Sequence, residues 1–391
     1  MLLDNDFRSD NRVEKEAVAL IKAGYSVEVV CLRGAGLPDN EQRRSIQITR
    51  CIDPLIYTRP FSAEAARSGR ALIEMLRAKD FDFLHCHDYN LVHVGSRLGE
   101  VRRGLAFVYD SHEYFAQFQF YRNAKGLWTR LKTWLVWRLL LLRETRAARH
   151  YDALITTTDY IGERLSNRFR IRNWTGLRNI PERQAVSGSD YVRQRFSLGS
   201  EAVIVVHTGN IYFGPEYVAR IHQSLEALGR SAYFVFFVDP DRSRRHRAFV
   251  SEHGLEDRIL FLDYPARDEL IQHLSSATIG FSWVNTTFGS QVYSSPNRYW
   301  EYTMAQLPVV SNQQWEIAEQ LRKHGNGVLF ADEDGGLVAA LQEVLRNYRD
   351  YKQGAIKASL GHSWEVESEK LVRLYEGLAA QTAGTAAGGA L

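Results

Sequence analysis

Strand-like and helix-like segments alternate along most of the chain, and this alternation limits the possible folds more than any other feature. Consecutive parallel strands need a crossover connection, which is usually a helix. The pattern occurs in two runs. The first run has strands at 25–32, 81–87, 104–110 and 151–158, and the second at 202–208, 232–238, 258–262, 278–283, 307–311 and 327–331. We therefore predict two doubly wound α/β sheets with right-handed crossovers.

The length of 391 residues also favours two domains, because one hydrophobic core rarely serves so long a chain. The apolar periodicity lapses in the polar stretch "ERQAVSGSDYVRQRFSLGS". The predicted divisions are an N-terminal domain at 1–185, a linker at 186–200, a C-terminal domain at 201–365, a helix at 366–380 that could pack back on the N-terminal domain, and a disordered tail at 381–391.

Composition excludes several classes of protein. The net charge is only +3, from 49 basic and 46 acidic residues, so no nucleic-acid partner is predicted. The three cysteines form no C-x-x-C pair and no secretory signal is recognisable, which favours a cytoplasmic protein. The most apolar stretch, "WLVWRLLLL", is far shorter than the roughly 20 residues that cross a bilayer.

The segment "SSPNRYWEYTMAQLPVVSN" (294–312) has the most informative local pattern. Ser295 is a good N-cap and Pro296 suits a first helical position, so a helix is predicted to begin there. Its free N–H groups and the Arg298 guanidinium would bind phosphate. Glu301, nearly one turn later, could accept hydrogen bonds from ribose hydroxyls. The alternative is an Arg298–Glu301 ion pair within an ordinary capped helix.

Polar residues also follow two predicted strands of the N-terminal half. His85 and His87 share one face of a strand, and His87 and Asp88 stand at its carboxyl end, where doubly wound sheets bind ligands. The two histidines could instead hold a metal ion, or be buried with satisfied ring nitrogens.

The motif "DSHE" follows the next strand. Asp110, His112 and Glu113 could orient an acceptor hydroxyl or act as a base. They could equally cap the turn and the helix that follows it.

Residues 125–150 combine basic side chains with tryptophan and with leucines at helical spacing. Such a helix could lie on an anionic membrane surface with its aromatic rings at the interface. Its apolar residues extend almost around the helix, so packing against the N-terminal sheet is the alternative.

Taken together, these stretches resemble the family-4 glycosyltransferases of the GT-B fold. The segment at 294–312 is similar to the donor-site sequence S-P-N-K-x-x-E-Y-M-A-A-G-L-P-V-V of that family. Further stretches with this resemblance are, in chain order, "SDNRVEKEAVALIKAGYSVEVV", "FDFLHCHD", "FVYDSHEYF", "YDALITTTDYI", "LRNIP", "VVHTGNIYFGPE" and "ILFLDYPARDELIQHLSSATIGFSW". Their co-linear order over residues 9 to 350 carries the resemblance, with bacterial surface-polysaccharide transferases as the nearest type.

The resemblance implies a GT-B fold, with two Rossmann-like domains that face each other across a cleft. It implies retaining transfer of a sugar from a nucleotide-diphosphate donor to a glycan, without a metal or other cofactor. A lipid-linked acceptor and a position at the inner face of the cell membrane would suit the surface-polysaccharide type.

By motif match, Glu301 would hold the donor ribose, Arg298 the diphosphate, and His87 would lie near the transferred sugar. The full set of donor-binding candidates is Gly209, Asn210, Tyr293, Ser295, Asn297, Arg298 and Glu301. The catalytic candidates are His87, Asp88 and Glu113, and no metal ligand is assigned.

The sequence departs from the family pattern at several positions. The family usually has another Glu eight residues before the one that Glu301 matches, and Tyr293 stands at that place. Asn210 and Phe213 stand near the places of an Arg and a Lys. Gln306 replaces the usual Gly. Two alternatives therefore stay open: a GT-B-like scaffold without activity, and an epimerase or inverting transferase of the same architecture.

Overall fold

The structure is a computed structural model that describes residues 1–101, 104–285, 289–331, 333 and 335–388. The chain divides into two compact units. The first comprises Met1–Arg178 and Glu367–Leu391, and the second comprises Asn179–Val366.

The first unit is an α/β sheet covered by helices. Its strands are β1 (Glu28–Leu32), β2 (Asn40–Arg43), β3 (Ile46–Ile52), β4 (Phe83–His87), β5 (Ala106–Ser111), β6 (Ala153–Thr156) and β7 (Asn173–Gly176). Its helices are α1 (Asn11–Lys22), α2 (Leu55–Thr58), α3 (Ala63–Arg77), α4 (Asp88–Val101), α5 (Leu127–Ala148) and α6 (Asp159–Phe169).

Strands β4, β5, β6 and β7 are parallel neighbours in that order, and β1 pairs in parallel with β3. Leu2 joins the two groups, because it bridges to Val30 of β1 and to Cys86 of β4. The carboxyl ends of β4 and β5 therefore lie side by side, which brings the residues after His87 and Asp110 together.

One hairpin was not predicted from the sequence. Strands β2 and β3 are antiparallel and are joined by Arg44 and Ser45, with φ of 51° and 65°. Two consecutive left-handed residues make the tight hairpin turn that Asn-Gly usually signals. Neither residue belongs to that pattern, so this turn was not predictable from the sequence.

The second unit contains a six-stranded parallel sheet between two layers of helices. Its strands are β8 (Val203–Thr208), β9 (Ala232–Phe237), β10 (Ile259–Leu262), β11 (Ile279–Ser282), β12 (Val309–Asn312) and β13 (Gly327–Phe330). Its helices are α7 (Tyr191–Phe196), α8 (Tyr217–Ala227), α9 (Pro240–Glu252), α10 (Arg267–Leu274), α11 (Gly289–Tyr293), α12 (Asn297–Met304), α13 (Trp315–His324), α14 (Gly336–Arg346) and α15 (Tyr348–Gly361).

The strand order is β10-β9-β8-β11-β12-β13. The winding direction reverses between β8 and β11, which pair directly. Ligands of such sheets bind beyond the strand ends at this switch point. Thr208 ends β8, so the residues after it are at the place where the topology predicts a ligand.

The predicted linker at 186–200 lies inside the second unit, and the division falls at Arg178 and Asn179 instead. The reason is apolar packing: Val192 of α7 and Ile180 are both buried in the same core cluster as the strands. A polar stretch can thus contribute to a core through one residue per helical turn, which the composition of the stretch conceals.

Helix α16 (Trp364–Gly388) returns to the first unit after the second is complete. Its Tyr375 hydroxyl lies 2.8 Å from Nδ1 of His85, and its ring packs on Phe83. The helix includes the part of the predicted disordered tail that runs from 381 to 388, while 389–391 lie outside the described residues. In the described part of the chain, no helix is long and apolar enough to cross a membrane.

We expect Gly280→Ala to destabilise the second unit. A Cβ at this position in β11 would meet the Tyr302 ring at 2.4 Å, and overpacking of a core typically costs about 1–3 kcal/mol. Urea unfolding measures the loss. The control is Gly361→Ala in α15, where nothing lies within 4 Å and little change is expected. Equal stability of both variants would contradict the packing described here.

Candidate functional site

The candidate residues fall into two groups, one in each unit. The second unit carries Gly209, Asn210, Tyr293, Ser295, Asn297, Arg298 and Glu301. The first unit carries His87, Asp88 and Glu113.

Glu301 is directed to the end of strand β8. The Thr208 hydroxyl donates to its carboxylate at 3.0 Å. The next residue, Tyr302, accepts a hydrogen bond from the Thr208 backbone N–H and donates to the Phe281 carbonyl, both at 3.0 Å. Tyr302 is fully buried, so it fixes helix α12 against β8 and β11. The carboxylate is therefore held at the switch point of the sheet.

Arg298 is buried to 7% exposure beside the same strand end. Its guanidinium donates to the Asn210 carbonyl at 2.8 Å and lies 3.0 Å from Nε2 of His207. Burial, and then the nearby Arg298, hold the pKa of His207 well below its usual value, so that ring is neutral. Among the described residues Arg298 has no carboxylate partner. Arg298 and Glu301 therefore contact different partners, and the predicted intrahelical ion pair is not observed.

Helix α12 begins one residue later than the sequence predicted. Pro296 is the N-cap, with φ of −70° and ψ of 129°, and Asn297 is the first helical residue. The Ser295 hydroxyl does not cap the helix, because it accepts a hydrogen bond from the buried indole of Trp300 at 2.8 Å. No side chain caps the helix start and its first turn has no acidic residue. The backbone N–H groups of Asn297 and Arg298 and the positive dipole end are thus available to an anion, while the N–H of Tyr299 donates to the Pro296 carbonyl at 3.1 Å.

The loop after β8 differs from the expectation for a phosphate clamp. Gly209 has φ of 73° and open space around its Cβ position, so the backbone is accessible there. Phe213 is buried to 4% exposure and packs edge-on against Trp283, so it belongs to the core. Asn210 is exposed, and Tyr293 is half-buried at the end of α11.

Three residues that the sequence analysis did not select belong to this region: His207, Thr208 and Arg242. The Arg242 guanidinium donates to the Asn210 side-chain carbonyl. His207 and Thr208 are the last residues of β8, so their position at the end of a predicted strand could have identified them. Arg242 lies 32 residues from Asn210 in the sequence, so only the tertiary structure reveals their contact.

In the first unit, Asp110 is the centre of a buried polar network. Arg12 of α1 donates to both of its carboxylate oxygens at 3.1 Å and to the Leu177 carbonyl at 2.8 Å. Burial opposes ionisation of Asp110. The Arg12 guanidinium and then His112 nevertheless hold the pKa of Asp110 well below its usual value.

His112 connects Asp110 with the candidate His87 and Asp88. Its Nε2 lies 3.1 Å from Asp110 and 3.2 Å from Nδ1 of His87, and its Nδ1 lies 3.3 Å from Asp88. Although burial disfavours a charge, the two carboxylates hold the pKa of His112 well above its usual value. The ring is therefore an imidazolium at neutral pH. Glu113 is exposed beside it.

Asp88 adopts a left-handed conformation, with φ of 61°. Its carboxylate accepts a hydrogen bond from the His112 backbone N–H at 3.1 Å. A non-glycine residue in this region costs energy and is often found at functional sites.

Four buried groups of this unit have ligand atoms within 4.8 Å of one another: Glu16, His85, His87 and Asp110. Nε2 of both histidines has no hydrogen-bond partner among the described residues. By distance the four could hold a metal ion. However, the Arg12 guanidinium bonds to Asp110 and lies 3.0 Å from Glu16, so a positive charge already occupies two of the four groups.

We expect Asp110→Asn to lower the free energy of unfolding by about 3–5 kcal/mol at pH 7. The remaining carboxyl group beside Arg12 is Glu16, whose pKa burial raises to about 8, so Arg12 would keep a buried charge without an ionised partner. The native pKa of Asp110 is lowered, so its stabilisation is present above about pH 4 and is lost as the pH falls through the native pKa. The difference between wild type and variant should narrow in that acidic range.

Urea unfolding of both proteins between pH 3 and pH 7 measures this difference. Asp82→Asn is the control, because Asp82 is exposed and a change within about 0.5 kcal/mol is expected. A pH-independent difference would show that the ionised carboxylate is not the stabilising group.

Comparisons with known proteins agree with this architecture. Residues 10–175 match the family described as "Glycosyl transferase 4-like domain". No curated protein matches the sequence significantly.

Solved structures match almost the whole chain. Sucrose-phosphate synthase from Thermosynechococcus elongatus has a TM-score of 0.70 at 18% identity, covering 94% of this chain and 93% of that chain. A UDP-forming trehalose-phosphate synthase from Burkholderia vietnamiensis has 0.66 at 14% identity, covering 100% and 98%. HepE from Anabaena, solved in complex with UDP-glucose, has 0.66 at 14% identity, covering 98% of each. The chain therefore has the GT-B fold, and its residues 10–175 match the glycosyl transferase 4-like family.

Proposed function

We propose that the protein is a retaining glycosyltransferase that moves a sugar from a nucleotide-diphosphate donor to a glycan acceptor. One observation carries the proposal: a buried guanidinium without a carboxylate partner among the described residues, an uncapped helix start and a carboxylate meet at the switch point of the second unit. The structure of HepE in complex with UDP, which shares the fold, supports a nucleotide ligand here.

The three features suit the parts of such a donor. Arg298 and the free N–H groups at the start of α12 would bind the diphosphate. Glu301 would accept hydrogen bonds from the ribose hydroxyls, with Thr208 holding one of its oxygens. Gly209 lets the backbone approach the phosphates, and Tyr293, Ser295 and Asn297 border the same helix start.

The loop after β8 lacks the Arg and Lys that the family usually has near Asn210 and Phe213, and Arg242 could compensate for them. It is bonded to Asn210, whose carbonyl is bonded to Arg298. Two guanidinium groups are thus linked through one residue at the strand end. We propose that Arg242 supplies the second positive charge that Asn210 and Phe213 do not.

The chemistry needs no metal in this proposal. The acceptor hydroxyl attacks the anomeric carbon on the face from which the diphosphate leaves, and a phosphate oxygen takes the hydroxyl proton. Arg298 and the helix dipole stabilise the charge that develops on the leaving group. His87 would lie near the transferred sugar, with Asp88 and Glu113 orienting the acceptor.

The acceptor side of the proposal is a lipid-linked glycan of bacterial polysaccharide synthesis. Helix α5 supports it, since tryptophan, leucine and basic residues on this helix are exposed. We propose that residues 125–150 contact an anionic membrane from the cytoplasm.

We expect UDP or another nucleoside diphosphate to bind with a dissociation constant that rises at least tenfold in Arg298→Ala and in Glu301→Gln. Each change removes a charged hydrogen-bonding group, which is worth about 1.5–3 kcal/mol. Calorimetric titration with UDP, GDP and dTDP measures the effect. Glu319→Gln on the exposed side of α13 is the matched control. Unchanged affinity in both site variants would refute the site, and no binding of any nucleotide to the folded protein would favour a scaffold.

We expect transfer to proceed equally with and without EDTA, and the product to keep the anomeric configuration of the donor. Nuclear magnetic resonance of the product distinguishes the outcomes. Inversion would indicate an inverting transferase, while a rearranged donor without transfer would indicate an epimerase.

A further inference from the structure

Helix α5 presents a large apolar face to solvent. Of its 22 residues only a stripe that includes Trp137, Leu141 and Glu144 is buried. The opposite face is exposed, and its large apolar residues include Trp128, Leu131, Leu135, Leu139 and Leu142, with exposures from 44% to 82%. Their spacing of three or four residues places them on one side of the helix. We call this side the α5 face.

The α5 face is also basic. Arg138 and Arg146 stand among its apolar residues, and both are exposed. The one acidic residue of the helix, Glu144, is on the buried side, where burial raises its pKa to about 7. Exposed tryptophan and leucine mixed with arginine are typical of helices that lie in the interface of an anionic bilayer.

A groove of about 610 Å³ lies beside this face, between helices α3, α4 and α5. Its apolar wall includes Phe61, Ile73 and Leu142. Its polar lining is mostly cationic or neutral, with one carboxylate. These polar side chains are His93, Ser96, Arg97, Glu100, Arg143, Arg146 and His150.

The arginines of the groove form no salt bridge with the residues that the structure describes. Arg97, Arg143 and Arg146 have no carboxylate partner among the described residues; Arg143 donates to the Pro60 carbonyl at 2.9 Å. Burial and then the charge of Arg97 lower the pKa of Arg143, so the two guanidinium groups are close enough to repel each other. A bound anion would relieve this repulsion.

We propose that this groove binds the phosphate headgroup and the first methylene groups of an anionic membrane phospholipid, while the α5 face rests on the bilayer. The phosphate would lie against Arg97 and Arg143, and the chain along the apolar wall. This inference deepens the proposed membrane contact and rests on it. A nucleic acid would match the charge but would leave the apolar face unexplained.

The groove lies close to the candidate residues of the first unit, so a membrane contact there could assist the proposed reaction. Arg143 also lines a small cavity with Tyr89 and Asn90, the residues that follow Asp88 in α4. Arg97 is nine residues beyond Asp88 on that helix, or about 13 Å along its axis. A bilayer held at Arg97 would therefore keep a membrane-linked acceptor near the candidate residues of the first unit.

The test measures flotation of the full chain with vesicles of phosphatidylglycerol or phosphatidylcholine, without nucleotide. We expect binding to phosphatidylglycerol vesicles that falls at least tenfold in Arg97→Gln/Arg143→Gln, since each basic contact contributes to the attraction of anionic lipid. Arg33→Gln/Arg172→Gln, which removes the same charge at exposed sites of the first unit outside the groove, should leave binding within about twofold. Trp128→Ser/Leu135→Ser should weaken binding as well.

If the groove variant and the control lost vesicle binding equally, the groove would not be the lipid site, because the loss would then follow from net charge alone. Absence of wild-type binding to phosphatidylglycerol would overturn the whole inference. Calorimetry with inorganic phosphate separates a free anion from a lipid: tight binding of phosphate alone would contradict a lipid site. Circular dichroism confirms that each variant is folded. Because nucleotide is absent, failure here is independent of failure in the UDP titration.

Discussion

Parallel strands end together at one edge of a sheet, and the groups exposed there must find polar partners. In the second unit this requirement is met by Thr208, whose backbone N–H and hydroxyl bond to Tyr302 and Glu301. In the first unit it is met by Asp110, which is paired with Arg12 and His112. Each strand end is thereby tied to a helix, and both candidate groups take their positions from these contacts.

The two strand ends differ in how far they are neutralised. Asp110 and Arg12 complete an ion pair inside the first unit, so the charge of Asp110 is compensated before any ligand arrives. Arg298 bonds to a neutral histidine and a carbonyl, and its charge stays uncompensated by the described residues. Of the two strand ends, the one in the second unit therefore carries an uncompensated positive charge that an anion would neutralise, in agreement with the proposed diphosphate donor.

Much of the fold was predictable, because strand and helix periodicities are local signals. The predicted strands at 81–87 and 202–208 lie within a few residues of their observed bounds, Phe83–His87 and Val203–Thr208. The missed elements lack such signals: the Arg44–Ser45 turn has no glycine, and α7 buries one residue in a polar stretch. In the site, Arg298 and Glu301 were identifiable from local spacing. His207 and Thr208 stand at the end of a predicted strand, but their contacts with Arg298 and Glu301 were not predictable, because strand-to-helix contacts over about ninety residues leave no local pattern.

The return of α16 to the first unit has a consequence for synthesis. The nascent N-terminal segment emerges from the ribosome long before Tyr375, which supplies the hydroxyl that partners the ring of His85. Until then that imidazole and the apolar surface around Phe83 lack their covering helix. The first unit can therefore complete its packing only after the whole second unit, Asn179–Val366, has been synthesised.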